Sequence, residues 1–173
     1  MGEEDSWMLS QKAFEWIEEN ICFNSTILEF GSGEGSKRLA MNYNLYSIEH
    51  NPEWVYSYKG TCLYAPILLD DKYQGEIGWY DLNSIKSELP NDIDLMIIDG
   101  PNGNIGRSGI LSHLDLFSWD YPILIDDLQR EKEFELSQRL SKKLGLKCVH
   151  FHSEKNNAVG SEKSFGIFRR SGA

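Results

Sequence analysis

Ile27-Leu28-Glu29-Phe30-Gly31-Ser32-Gly33-Glu34-Gly35-Ser36 is the stretch of this 173-residue chain on which the fold turns. The β-branched and apolar run from Thr26 to Phe30 predicts a strand that breaks at Gly31, and Ser36 to Met41 is compatible with a helix. Glycine permits unusual backbone angles and lets the main chain approach a ligand closely. Free N–H groups at the start of a helix favour an anion. Strand, glycine turn and helix in that order form the geometry of a nucleotide-binding crevice. Glu49 lies twenty positions after Glu29 and closes the next predicted strand, Leu45 to Glu49, where a carboxylate accepts hydrogen bonds from ribose hydroxyls. Two rival patterns fit less well. A P-loop needs Lys directly after its last glycine, and here Ser36 separates Gly35 from Lys37. A dinucleotide turn needs a third glycine where Ser36 stands.

Outward from this turn, Phe14, Ile17 and Ile21 recur at helical spacing and predict an N-terminal helix from about Trp7 to Ile21. Asn51-Pro52 reads as a turn into a helix with Pro52 first. Thr61 to Leu69 is a third apolar run, and Ile93 to Asp99 and Tyr121 to Asp126 are buried strands, each closed by an acid. Ile110, Leu111, Leu114 and Phe117 fall at helical spacing between those strands. Gln129 to Leu144 reads as a helix stopped by Gly145, and Lys147 to His152 and Ser164 to Arg169 finish the chain as strands. Alternating strands and helices imply an α/β domain whose parallel sheet is covered on both faces. Only a loop separates the last two strands, so they should pair antiparallel. No repeat or linker divides residues 1–173, which read as one domain.

Composition narrows the class. Hydrophobic residues make up 40% and charged residues 25%, enough for a packed core and contrary to disorder or a disulfide scaffold. A net charge of -10 repels phosphate backbones, so no nucleic-acid partner is expected. Cys22, Cys62 and Cys148 are far apart and form no CxxC, as expected of thiols in a reducing compartment. The acidic start, Met1 to Asp5, does not resemble a signal peptide. The apolar runs Leu95–Ile98 and Ile123–Ile125 are too short to cross a bilayer. The expected location is cytoplasmic, without a membrane partner. The Asn24-Ser25-Thr26 sequon has no consequence there.

Glu29-x-Gly31-x-Gly33-x-Gly35 resembles the first motif of class I S-adenosylmethionine-dependent methyltransferases, and the likeness runs from Thr26 to the final strand. The resemblance implies a Rossmann-like fold with a mostly parallel seven-stranded sheet and an antiparallel last strand. It implies S-adenosyl-L-methionine as cofactor, held by Glu29, Gly31, Ser32, Gly33 and Gly35, with Asp99 at the edge of its site. Glu49 matches the family's ribose-binding acid, and His50 would lie beside the adenine. Ser47 to Pro52 resembles the corresponding turn of catechol-type O-methyltransferases. Ala65, in Tyr64-Ala65-Pro66, is a further candidate for adenine contact, with an ordinary strand end as the alternative.

Asp99, Asp126 and Asp127 close two predicted neighbouring strands, at the edge where open α/β sheets bind ligands. Three carboxylates repel one another unless protons, basic partners or a cation compensate, and such oxygens suit Mg²⁺ or another hard divalent ion. In catechol-type enzymes an Asp after the fourth strand and an Asp-Asn pair after the fifth hold a metal that lowers the pKa of the acceptor hydroxyl. Asp99 and Asp126 match those positions, and Asp127 replaces the Asn. The alternative is capping, by Asp99 of the turn before Gly100-Pro101 and by Asp126 or Asp127 of the following helix. The family's Lys, three residues after the first metal Asp, is Asn102 here, which leaves His113 and Lys132 beside Asp99 as candidate catalytic groups.

Arg107 would bind an anionic substrate or sit exposed on its loop, and Trp79, Tyr80 and Asp81 would cover the cofactor or pack on the sheet. Asp99-Gly100-Pro101 with Gly106-Arg107 resembles polysaccharide O-methyltransferases of plant cell walls, which implies a sugar acceptor. The expected function is methylation of a hydroxyl on a small molecule or glycan, with a divalent ion assisting. The alternatives are a nicotinamide-dependent oxidoreductase, which lacks its third glycine here, and a non-catalytic cofactor-binding interaction module.

Overall fold

The structure is a computed structural model that describes residues 8–55, 58–73, 75–152 and 163–170. Trp7 and the acidic start Met1 to Asp5 lie outside the described residues. Helix α1 spans Gln11–Asn20, later than the predicted start, because the Ser10 hydroxyl caps it by accepting from the Ala13 N–H at 3.2 Å. It buries Ala13, Phe14, Trp16 and Ile17. Strand β1 (Thr26–Phe30) leads through the glycine turn into α2 (Glu34–Asn42), and β2 (Asn44–Glu49) follows. Pro52 opens a 3₁₀ turn, Pro52–Trp54, with the Asn51 side chain accepting from the Glu53 N–H.

The apolar run Thr61 to Leu69 divides into two strands. β3 (Thr61–Tyr64) pairs with β2, and β4 (Ile67–Leu69) pairs antiparallel with β5 (Gly78–Tyr80) outside the main sheet. Pro66 explains the break, since proline brings no N–H to continue a ladder. Gly78 is required in that hairpin, because a Cβ there would lie 2.0 Å from the Leu68 carbonyl oxygen. Asp81 caps the short helix α3 (Leu82–Ile85), and β6 (Leu95–Ile98) follows. The segment of Ile110, Leu111, Leu114 and Phe117 forms two 3₁₀ turns, Ser108–Ser112 and Leu114–Leu116, instead of a longer helix. The chain closes with β7 (Ile123–Ile125), α4 (Glu131–Leu144), β8 (Lys147–His152) and β9 (Ser164–Arg169). Gly145 ends α4 with a left-handed φ of 65°.

Seven strands form one sheet in the order β3-β2-β1-β6-β7-β9-β8. Only β9 runs against its neighbours. Period-two alternation sorts the core onto two faces. Ile27, Leu95, Ile97 and Leu124 pack with α1 and α2, while Leu28, Phe30, Met96, Ile98 and Ile125 pack with α3, α4 and the β5 aromatics. The strand order reverses between β1 and β6, which places the crevice of this fold at their carboxyl ends. No helix among the described residues is long and apolar enough to cross a membrane.

Candidate active site

A cleft of about 690 Å³ opens at that reversal. Gly31 and Gly100, one after β1 and one after β6, touch back to back across it. A Cβ on Gly31 would lie 3.0 Å from the Gly100 Cα, and one on Gly100 would lie 2.7 Å from the Gly31 Cα. Gly31 also has φ +94°, so both its space and its conformation require glycine. Gly35 serves packing, since its Cα faces the Phe14 ring of α1.

Glu49 is buried on the floor of the cleft. Its Oε1 accepts the His50 and Asn51 N–H groups, both at 2.7 Å, and its Oε2 accepts the Ser32 N–H at 2.9 Å. A carboxylate offers about four lone-pair sites, so Oε2 keeps room for one further donor. His50 Nδ1 lies 3.0 Å from Oε1, and Trp54 borders the cleft beyond it. Glu29 works one layer deeper. Its Oε1 accepts from the Ser36 and Ser47 hydroxyls, and Ser36 Oγ accepts the Gly33 N–H at 3.0 Å. This chain fixes the glycine turn from below. Burial pushes the Glu29 carboxyl up to about 7, although the two hydroxyls oppose the shift.

The other side of the cleft is built after β6 and β7. Asp99 and Asp126 extend the parallel register, their N–H groups donating to Phe30 O at 3.1 Å and Ile98 O at 3.2 Å. One carboxylate oxygen from each of Asp99, Asp126 and Asp127 lies within 4.8 Å of the others. Asp127 adopts a left-handed φ of 61°, which Asp tolerates better than most residues. Into this cluster runs Arg107, only 4% exposed. Its Nη2 donates to Asp99 O at 2.6 Å and Asp127 Oδ2 at 3.0 Å, and its Nη1 donates to Asp126 O at 3.0 Å. Burial, then the charge of Asp126, pushes Asp99 well above the usual carboxylate range, with Arg107 opposing. Burial and Asp127 push Asp126 up to about 6. Burial disfavours the charge on Arg107, yet Asp99, Asp127 and Glu133 outweigh it and raise the Arg107 pKa.

The lining of the cleft brings together Glu29, Gly31, Ser32, Gly33, Gly35, Glu49 and His50 from the first side, and Asp99 and Asp127 from the second. Asp126 is buried behind the lining. Ala65 packs in the core, and His113 lies beyond the lining, at the junction of the two 3₁₀ turns. Lys132 donates to the Gly75 carbonyl. Arg107 borders the cleft but is not exposed on its loop, and its guanidinium is engaged by Asp99, Asp126 and Asp127, while Trp79 packs 5.2 Å from the Phe30 ring. The sequence offers no signal for the partners of Arg107. It does offer one for Tyr80, an aromatic before the fourth predicted strand, which lines the cleft with its buried hydroxyl unpartnered.

No family model and no curated protein matches the chain. Its solved structural neighbours include an O-methyltransferase from Bacillus cereus in complex with S-adenosylhomocysteine. That neighbour is 12% identical with a TM-score of 0.62, over 94% of this chain and 82% of the other. A tRNA methyltransferase from Bacillus subtilis is 12% identical with a TM-score of 0.61, over 95% and 68% of the two chains. An rRNA methylase from Streptococcus thermophilus is 11% identical with a TM-score of 0.55, over 94% and 98%. With seven strands in the order of the sheet above and one antiparallel member next to the edge, the chain has the Rossmann-like fold of S-adenosylmethionine-dependent methyltransferases.

Proposed function

We propose that the protein is an S-adenosylmethionine-dependent methyltransferase acting on a hydroxyl oxygen of a small molecule or glycan. The observation that carries the reading is Glu49. Its carboxylate is pinned by three backbone N–H groups at the floor of the cleft and keeps room for a ribose hydroxyl. The Gly31–Gly33 turn would pass beneath the methionine portion, and His50 and Trp54 would flank the base. The transferred methyl is already activated by the sulfonium, so alignment and a proton acceptor are the main demands on the protein. In the reaction the acceptor oxygen bonds to the methyl carbon, the carbon–sulfur bond breaks, and its electron pair returns to sulfur. The hydroxyl proton passes to Asp99, whose side chain keeps 26% of its exposure on the cleft. The names of the neighbours include enzymes of RNA, so the fold does not choose the acceptor. The hydroxyl reading rests on the Asp99 carboxylate that faces the cleft and on the net charge of -10.

Titration calorimetry with S-adenosylhomocysteine tests the cofactor. The expected result is one site per chain, with affinity lowered about 100-fold in Glu49→Ala, the scale of a lost hydrogen bond to a buried charge together with a loosened turn. Absence of heat at millimolar ligand would refute the reading.

A further inference from the structure

The catechol-type resemblance puts a divalent ion among Asp99, Asp126 and Asp127, and the donor set does not fit one. Asp127, which stands where those enzymes have Asn, is engaged at both oxygens. Oδ1 accepts Gln129 Nε2 at 3.1 Å, and Oδ2 takes Arg107 Nη2 at 3.0 Å and Arg130 Nη1 at 2.9 Å. Arg107 Nη2 also lies 3.4 Å from Asp99 Oδ1, and its Nε lies 3.8 Å from Glu133 Oε1. Two positions are left open to a cation: Asp126 Oδ1, buried without a hydrogen-bond partner among the described residues, and the side of Asp99 that stays 26% exposed on the cleft. Mg²⁺ keeps several waters and needs only one or two carboxylates, so the count of free oxygens is not what excludes it. The buried Arg107 charge among the carboxylates repels a second cation, and Asp127, held at both oxygens, cannot turn toward one. A planar guanidinium, by contrast, spans carboxylates and carbonyls at once.

The placement of Arg107 is itself built. Ile77 N–H donates to Ile105 O at 2.7 Å, and Glu76 accepts the Ser108 N–H at 2.9 Å and the Ser108 hydroxyl at 2.6 Å. Gly106, with φ +99°, leaves the space that the Glu76 side chain fills. The β4–β5 hairpin thus clamps the loop from both sides of Arg107. The added acid at Asp127 and the inserted base at Arg107 balance each other.

We propose that the Arg107 guanidinium takes the place of the divalent cation, so that the cleft binds its ligands and transfers a methyl group without a metal. The inference uses the methyltransferase reading for what the cleft does, and its test is separate. EDTA-treated wild-type protein is titrated with Mn²⁺ and followed by electron paramagnetic resonance. The expected result is no stoichiometric binding up to millimolar Mn²⁺, with the same melting temperature in EDTA and in MgCl₂. Stoichiometric Mn²⁺ binding below millimolar that disappears in Asp126→Asn would overturn the proposal. In Arg107→Gln, which vacates the position, Mn²⁺ should bind at least tenfold more tightly than in the wild type and raise the melting temperature. A folded variant that binds no better overturns the proposal, and if the variant does not fold the wild-type titration decides. Binding of S-adenosylhomocysteine together with stoichiometric Mn²⁺ would sink this inference and leave the methyltransferase reading standing. Absence of both would do the reverse.

Discussion

On the β2 side of the cleft Glu49 and Glu29 meet backbone N–H groups and hydroxyls, whereas on the β7 side Asp99 and Asp127 meet the guanidinium of Arg107. The first arrangement is made by residues close in sequence, within β1, the glycine turn and β2. The second needs a base carried in on a loop that a separate hairpin holds through Glu76. Neutral donors leave a carboxylate with spare lone pairs for a ligand. A cation fixes the position of its partners, and Asp99, joined to it only at 3.4 Å through Oδ1, keeps part of its side chain open to the cleft. The proposed function uses the β2 side to grip the cofactor and the β7 side to hold Asp99 at the cleft.

Asp99→Asn tests that division most severely. It keeps the shape and the Arg107 bond to the backbone carbonyl while removing the proton acceptor that the proposed function assigns. Turnover should fall about a thousandfold, within the range for a general base, while affinity for S-adenosylhomocysteine stays within about threefold. Single-turnover rates and calorimetry measure the two quantities. A parallel collapse of both would mean that the two sides are not separable.

The contrast also explains what could be read from the chain. The strand segments, the glycine turn and the place of Glu49 at a strand end were legible because each depends on short-range pattern: apolar runs of strand length, a break at Gly31, an acid at the next strand end. The break inside Thr61 to Leu69 was legible only in Pro66, since apolar content alone does not distinguish one strand from two. Arg107 was not legible. Its burial depends on Glu76 and Ser108 meeting across 32 positions, and a loop with two glycines predicts exposure. His113 shows the converse: its spacing in the chain says nothing of the cleft, which lies beyond the 3₁₀ turns that carry it.

A smaller effect sharpens the β2 side. The Glu29 carboxyl is raised from an ordinary 4.5 to about 7, so the folded state holds its proton more tightly than the unfolded chain does. Its contribution to stability is fully present below about pH 4.5 and is lost as the pH rises to about 7. Each unit is worth about 1.4 kcal/mol, so the loss across that window is about 3 kcal/mol. Glu29→Gln keeps an oxygen for the Ser36 and Ser47 hydroxyls and cannot ionise. Urea titrations between pH 4.5 and 8 should show wild-type stability falling relative to the variant as pH rises. Parallel curves would place Glu29 in a wetter setting than its 4% exposure implies.

Tyr80 stands where the two sides meet, and Tyr80→Phe carries the smallest effect with two opposite signs. Its ring packs 5.8 Å from Phe30 and 5.9 Å from His50, contacts that Phe preserves. Its hydroxyl is buried beside the Gly31–Gly100 contact, close enough that a Cβ on Gly100 would lie 2.5 Å from it, and among the described residues no group bonds to it. An unmade buried hydrogen bond weakens the free protein, and a ligand that completes it gains roughly 1 kcal/mol. Removing the hydroxyl should therefore raise the melting temperature of the free protein by a few degrees and lower affinity for S-adenosylhomocysteine about fivefold. Thermal melts with and without ligand read both changes in one experiment. A residue that served packing alone would lose stability or change nothing, and its ligand affinity would not move, so the pair of signs separates a ligand contact from a structural tyrosine.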